Sequence, residues 1–209
     1  MVTAGPTFEA IDPVRYIGNR STGTMGIALA EELAARGAHV YLVIGPSEAG
    51  LPFNMETIKV STANEMYEAS LKYISNSDII IMAAAVSDYT VEKPEKEKIK
   101  KENDLLSLTL TKTKDILSTA GKLKTENQTL VGFALETKDE RENALKKLAK
   151  KNADLIVLNS LNDEGAGFGK STNKIIIFDK KGNEYSFSKK FKKEVAKDII
   201  NTIINYRND

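Results

Sequence analysis

The chain has 209 residues and none of them is cysteine. That absence excludes disulfides, thiolate metal ligands and a cysteine nucleophile. Histidine is nearly absent too. The single His39 opens a strand-like run with no serine or carboxylate motif beside it, and reads as structural rather than catalytic. No apolar run approaches the ~20 residues of a membrane span. The N-terminus lacks the charged-then-apolar order of a secretory signal, so a cytoplasmic location is expected. Neither sign of charge dominates: 30 basic residues face 29 acidic ones. That balance argues against a nucleic-acid binder working by bulk electrostatics. What is present, 41% apolar residues, suffices for one full core, and a single domain over 1–209 is expected.

Strand-like and helical runs alternate along the chain. Strands are expected at Met1–Ala4, His39–Ile44, Thr57–Ser61, Asp78–Val86, Leu105–Thr111, Thr129–Leu135 and Asp154–Asn159. Helices are expected near Thr24–Arg36, Ala63–Asn76, Asp115–Lys124 and Lys138–Lys151. Met25, Leu29 and Leu33 recur at helical spacing as one buried face, with Gly37 as the stop. The run from Ile79 to Val86 is apolar on both faces, as a central parallel strand requires. Together these predict an α/β fold, a Rossmann-like parallel sheet flanked by helices. Val91–Asn103, dense in alternating charge and containing Pro94, reads as a solvated loop or arm. Leu161–Asn173 reads as a glycine-rich loop. Strands Lys174–Phe178 and Glu184–Phe187 around a Gly182 turn then predict an appended hairpin, and a helix over Lys189–Tyr206 closes the chain.

The most informative stretch is Met1–Gly26. A strand breaks at Gly5-Pro6, and a glycine-spaced run, Gly18-Asn-Arg-Ser-Thr-Gly23-Thr-Met-Gly26, opens into a helix. Strand, glycine-rich turn and helix form the unit that offers backbone N–H groups to phosphate. Two common motifs fail here. G-x-G-x-x-G is absent after the first strand, and the second strand ends in Ile44-Gly45-Pro46 rather than at a ribose-binding acid, which argues against NAD in its ordinary pose. The P-loop spacing is present, but Thr24-Met25 stand where Lys and Ser/Thr belong. The glycines are also compatible with a plain strand–helix joint. Against that reading, Asn19, Arg20, Ser21, Thr22 and Thr24 cluster where a cap needs one side chain.

Ligands in open α/β sheets bind beyond the carboxyl ends of the strands. Ala83-Ala84-Ala85-Val86-Ser87-Asp88 is one such end; the alanines suit either a close ligand or tight helix–sheet packing, and Asp88 would sit at the rim. Phe133, in Gly132–Thr137, is either a stacking face or a core residue. Lys98, Lys100 and Lys101 end the charged loop, and Lys147 and Lys151 lie one helical turn apart; taken singly each reads first as a solvated surface lysine, and together they are the candidates for phosphate neutralisation. Tyr89-x-x-x-Lys93 matches a short-chain dehydrogenase pair, but Pro94 denies it the helical turn that this chemistry needs.

With those residues in view, the chain resembles the bacterial phosphopantothenate–cysteine ligases. The resemblance rests on TAGPTFEAIDPVRYIGNRSTGTMG, AAAVSDY, EKIKK, VGFALET and NADLIVLN with GFG…N (ending at Asn173), in the family's order over nearly the whole chain. Because the ligase pattern starts at Met1, the free-standing type is expected, with no flavin and no NAD, and with a separate decarboxylase as a possible partner. The resemblance implies CTP, 4′-phosphopantothenate and cysteine as substrates, an acyl-cytidylate intermediate, Mg²⁺ held mainly by the triphosphate, and a homodimer without nucleic-acid or membrane partners. It implies Asn19 as the residue acting on the acyl-cytidylate, its amide donating to the acyl oxygen. It implies Ser21, Gly23, Met25, Gly26, Ala84 and Ala85 at substrate and phosphate, and Asp88, Lys98, Asp115, Ile116, Phe133, Lys147 and Lys151 at the nucleotide. Thr113-Lys114 replaces the family's Asn-Pro, so only backbone contacts are expected there. The competing functions are an NAD(P) reductase on the same fold and a nucleotide-binding protein without chemistry.

Overall fold

A computed structural model of the chain describes residues 1–52, 55–100, 105–136, 138–160 and 172–208. In chain order the elements are β1 (Val2–Ala4), β2 (Phe8–Ala10), β3 (Tyr16–Gly18), α1 (Thr24–Ala35), β4 (Tyr41–Ile44), β5 (Glu56–Lys59) and α2 (Ala63–Ile74). There follow β6 (Ile79–Met82), β7 (Tyr89–Val91), β8 (Leu110–Lys112), α3 (Ile116–Leu123), β9 (Thr129–Glu136) and α4 (Glu140–Lys150). The chain ends with β10 (Leu155–Ser160), β11 (Thr172–Asp179), β12 (Glu184–Phe191) and α5 (Lys192–Asn208).

One sheet runs β5-β4-β1-β6-β9-β10-β11-β12. The six strands from β5 to β10 are parallel, and β11 and β12 return antiparallel. Numbered among themselves, the parallel strands follow the order 3-2-1-4-5-6 of dinucleotide-binding folds. The direction of winding reverses between β1 and β6, and a crevice opens there. Alternation along the central strands makes both faces apolar: Ile81 packs on the face covered by α1 and α5, while Ile80 and Met82 pack toward α2, α3 and α4. Leu29, fully buried on α1, gives the scale; truncating such a residue to alanine costs about 2–5 kcal/mol.

The expected α/β architecture and the appended hairpin are both present. Several details differ. Helix α1 is buried well beyond one stripe, because it is wedged between the sheet and α5; Gly26 packs so tightly that a Cβ would lie 2.5 Å from the Ala4 Cβ. The expected Asp78–Val86 strand stops at Met82. Beyond it the chain bends across the end of β1, with Ala85 N–H donating to Gly5 O at 2.9 Å, so Ala83–Val86 become the floor of the crevice. The expected Leu105–Thr111 strand does not join the sheet. Only Leu110–Lys112 pairs there, with Tyr89–Val91, and Leu105, Leu106 and Leu110 are exposed. Val91, expected in a solvated arm, is buried. The closing helix starts at Lys192 rather than Lys189, because Lys190 and Phe191 still pair with Asn173 and Thr172. The loop expected at 161–173 lies outside the described residues up to 171, and its last two residues belong to β11.

The insertion between β1 and α1 is a small antiparallel hairpin, β2–β3. Phe8 and Tyr16 stack across it at 3.9 Å. Asp12, buried at its tip, accepts N–H bonds from Val14 and Arg15 at 2.8 Å and from Ile99 at 3.2 Å, and forms an ion pair with Arg15. The Arg15 guanidinium and these amides hold the Asp12 carboxyl well below the usual carboxylate range.

Candidate functional site

The crevice at the carboxyl ends of β1, β6 and β9 has two lobes, of about 370 and 500 Å³, which share Ala84, Val86, Asp88, Phe133 and Lys147.

The smaller lobe is built on the β3–α1 turn. Gly23 is the N-cap of α1 at φ 78°, where a side chain would be strained, and no side chain caps the helix. The clustered donors are occupied otherwise. Thr22 and Thr24 hydroxyls meet at 3.1 Å, Ser21 Oγ accepts from Gly23 N–H at 3.3 Å, and Ser47 Oγ donates to Thr22 O at 2.7 Å. The first turn of α1 therefore faces the lobe without a capping side chain, as a phosphate-receiving turn requires. Asn19 extends over the Ala83–Val86 floor. Its Nδ2 donates to Ala85 O at 3.0 Å and Val86 O at 3.1 Å. These bonds fix the Asn19 amide over the floor of the lobe, with Oδ1 on the side away from the two carbonyls.

The larger lobe lies against the β8–α3 junction. Asp115 is the N-cap of α3: one oxygen accepts from Ser118 N–H at 2.8 Å, and the other takes a very short bond from the Lys151 ammonium. Burial works to raise the Asp115 pKa, but those bonds outweigh it and leave the carboxyl below its ordinary value. Lys147, largely buried between the lobes, has its pKa lowered by desolvation, against the pull of Glu136, Asp115 and Asp88. At the divergent Thr113-Lys114, Thr113 N–H donates to Asp88 O at 3.0 Å and its hydroxyl to Ser87 O at 2.6 Å, while the Lys114 ammonium pairs with Glu68 at 2.8 Å.

Of the residues expected at the site, the smaller lobe gathers Asn19, Ser21, Gly23, Met25, Gly26, Ala84 and Ala85. The larger gathers Asp115, Ile116 and Lys151, and Asp88, Phe133 and Lys147 stand where the lobes meet. The side chain of Ile116 is buried and serves the core. Lys98 is the exception: exposed, it lines neither lobe of its own chain, since the Asp12–Ile99 clasp holds its segment against the β2–β3 hairpin. His39 is a surface residue edge-on to Tyr41, in keeping with its structural reading. Tyr89 lies on β7 and not on a helix, so the dehydrogenase pair is accidental. Asn159 and Asn173, which the sequence offers only as parts of NADLIVLN and GFG…N with no role attached, also line the smaller lobe, as does Lys192, which sequence reasoning missed. Lys192 Nζ donates to Thr24 Oγ1 at 2.8 Å, and the side-chain oxygens of Asn159 and Asn173 are buried with no partner among the described residues.

Comparison with known proteins agrees with this geometry. The model of the DNA/pantothenate metabolism flavoprotein C-terminal domain matches residues 1–206. A cysteine/cysteine sulfinic acid decarboxylase from an unknown prokaryotic organism is 51% identical over 97% of this chain and 57% of its own length. The coenzyme A biosynthesis bifunctional protein CoaBC of Haemophilus influenzae is 45% identical over 97% of this chain and 50% of its own length. The chain thus spans about half the length of the curated relatives it matches. The crystal structure of the C-terminal domain of a CoaBC protein superposes with a TM-score of 0.83 at 38% identity, covering 99% of this chain and 94% of that one. Sequence, fold and crevice agree, and the chain belongs to the family of DNA/pantothenate metabolism flavoprotein C-terminal domains.

Proposed function

We propose that this chain is a single-domain, CTP-dependent phosphopantothenate–cysteine ligase acting in coenzyme A biosynthesis. The observation that carries the reading is the two-lobed crevice, with an uncapped glycine turn on one side, a lysine-rich wall on the other and a floor of small residues between. Such a crevice suits two phosphorylated substrates meeting over Ala84 and Ala85. The similarity to CoaBC, a coenzyme A biosynthesis bifunctional protein, supports that pathway. The decarboxylase name belongs to a relative of which this chain covers 57%.

In the first step a carboxylate oxygen of 4′-phosphopantothenate attacks the α-phosphorus of CTP, and the bond to the β-phosphate breaks, releasing pyrophosphate. In the second, the cysteine amine attacks the acyl carbon, loses a proton, and expels CMP as the carbon–oxygen bond breaks. Both steps bring negative charge together, and preorganised cations and N–H dipoles offset it. The turn at Ser21, Gly23, Met25 and Gly26 would hold phosphate, and Lys147 and Lys151 would face the nucleotide with Asp88, Phe133, Asp115 and the Ile116 backbone. Asn19 would orient the acyl-cytidylate over Ala84 and Ala85. Among the described residues no group of three or more histidines or acids could hold a metal. Magnesium would arrive on CTP, with Asp88 as its neighbour, and would neutralise triphosphate charge. No flavin or NAD enters this scheme. The enzyme would act in the cytoplasm, as a homodimer whose Lys98 arm serves the partner's crevice, with the decarboxylation before or after it done by another domain or chain.

The test is to incubate the full chain with CTP, phosphopantothenate and cysteine. Equimolar CMP and pyrophosphate, dependent on all three substrates, are expected. Release of neither, with an active control ligase alongside, overturns the proposal.

A further inference from the structure

The α1 turn lacks the lysine that a P-loop would carry, and the fold brings one to the same place from the far end of the chain. Strands β11 and β12 run back along the sheet edge and deliver Lys192, the first residue of α5, to the mouth of α1. Its neighbours are neutralised: Lys190 pairs with Asp198 at 2.7 Å and Lys193 with Glu31 at 3.5 Å. Among the described residues Lys192 has no carboxylate within 4.0 Å; its bond is to the neutral Thr24 hydroxyl. Half-buried, its pKa is lowered by desolvation alone. An ammonium removed from water without a counter-ion is costly, and an anion in the lobe offsets that cost. A second observation points to a ligand in the same lobe. Among the described residues, Asn173, only 4% exposed, has no partner for its Oδ1, and neither has Asn159. Buried oxygens of this kind are almost always satisfied, so each is open to a donor from outside the protein, water or ligand.

We infer that Lys192 is the phosphate-binding cation of the α1 turn, gripping a phosphate seated on the Gly23–Gly26 amides while Asn173 accepts from a hydroxyl or amide of the same ligand. The inference rests on the proposed ligase reading only for which phosphorylated substrate occupies the lobe. Inorganic pyrophosphate serves as the probe. By calorimetry on the full chain, Lys192→Gln is expected to weaken pyrophosphate binding at least tenfold and Lys192→Arg by under threefold, with neither lowering the unfolding temperature. On the wild-type protein, pyrophosphate should shield Lys192, and not Lys190 or Lys193, from amine acylation read by mass spectrometry. Equal binding by Lys192→Gln, or unshielded Lys192 at saturation, overturns the inference while leaving CMP release by the wild type intact. Loss of CMP release with Lys192 still shielded overturns the ligase reading instead.

Discussion

The N-termini of α1 and α2 begin two helices of equal length and are built in opposite ways. At α2, Thr62 and Glu65 form a complete capping box: Thr62 Oγ1 accepts from Glu65 N–H at 3.1 Å, and Glu65 Oε2 accepts from Thr62 N–H at 3.3 Å and Ser61 N–H at 2.6 Å. Glu9 closes the arrangement by accepting from Ala63 N–H at 2.8 Å. At α1, five polar side chains surround the start, yet the N-cap is Gly23 and none of them caps it. The sequence places its best caps where only stability is at stake. It leaves uncapped the helix end that opens on the crevice, where a ligand would do the capping.

The largest expected effect comes from the turn itself. Replacing Asn19 with Asp repels the Ala85 and Val86 carbonyls, and product formation should fall about 10²–10³-fold, the scale of losing one preorganised polar group at a reacting centre. CTP binding should persist and acyl-cytidylate should accumulate in quenched reactions; normal turnover removes Asn19 from the mechanism. Next comes Gly26→Ala. With its Cβ forced against Ala4, it should cost about 1–3 kcal/mol in denaturant unfolding and weaken phosphate binding as the turn shifts. At the other helix, Thr62→Ala should cost about 1 kcal/mol and leave substrate affinities untouched. If it damages turnover as Gly26→Ala does, the contrast between the two helix ends collapses.

The smallest effect concerns pH. The folded pKa of Lys147 lies below its unfolded value, so its ammonium is a burden on the fold that is fully present at neutral pH. Stability of the free protein should rise as pH climbs from the folded pKa toward the ordinary lysine value, because the unfolded chain then binds more protons. Lys147→Met should flatten that rise and raise the melting temperature slightly at pH 7, while weakening CTP binding. A melting temperature lowered at neutral pH would assign Lys147 to the fold rather than to the ligand.

Much of this was legible from local pattern. The Ile79–Val86 run identified the central strand, and strand–turn–helix order placed Asn19, Ala84 and Phe133 at one sheet end. What was not legible depends on long-range return of the chain. The β2–β3 strands, three residues each, are too short for period-2 alternation to register, and Asp12 organises them by bonds no motif encodes. Lys192 lies 168 residues from Thr24, and only the antiparallel β11–β12 return brings them together. Ile116 and Asp115 line the larger lobe, yet the sequence does not show that the Ile116 side chain is buried or that Asp115 caps α3 and pairs with Lys151.

The most direct test of the central claim is the backbone amide spectrum during titration with CTP and phosphopantothenate. The largest downfield proton shifts are expected at Gly23, Met25 and Gly26, with Ala63 to Glu65 unmoved. A crevice that fills while the α1 amides stay silent would contradict it.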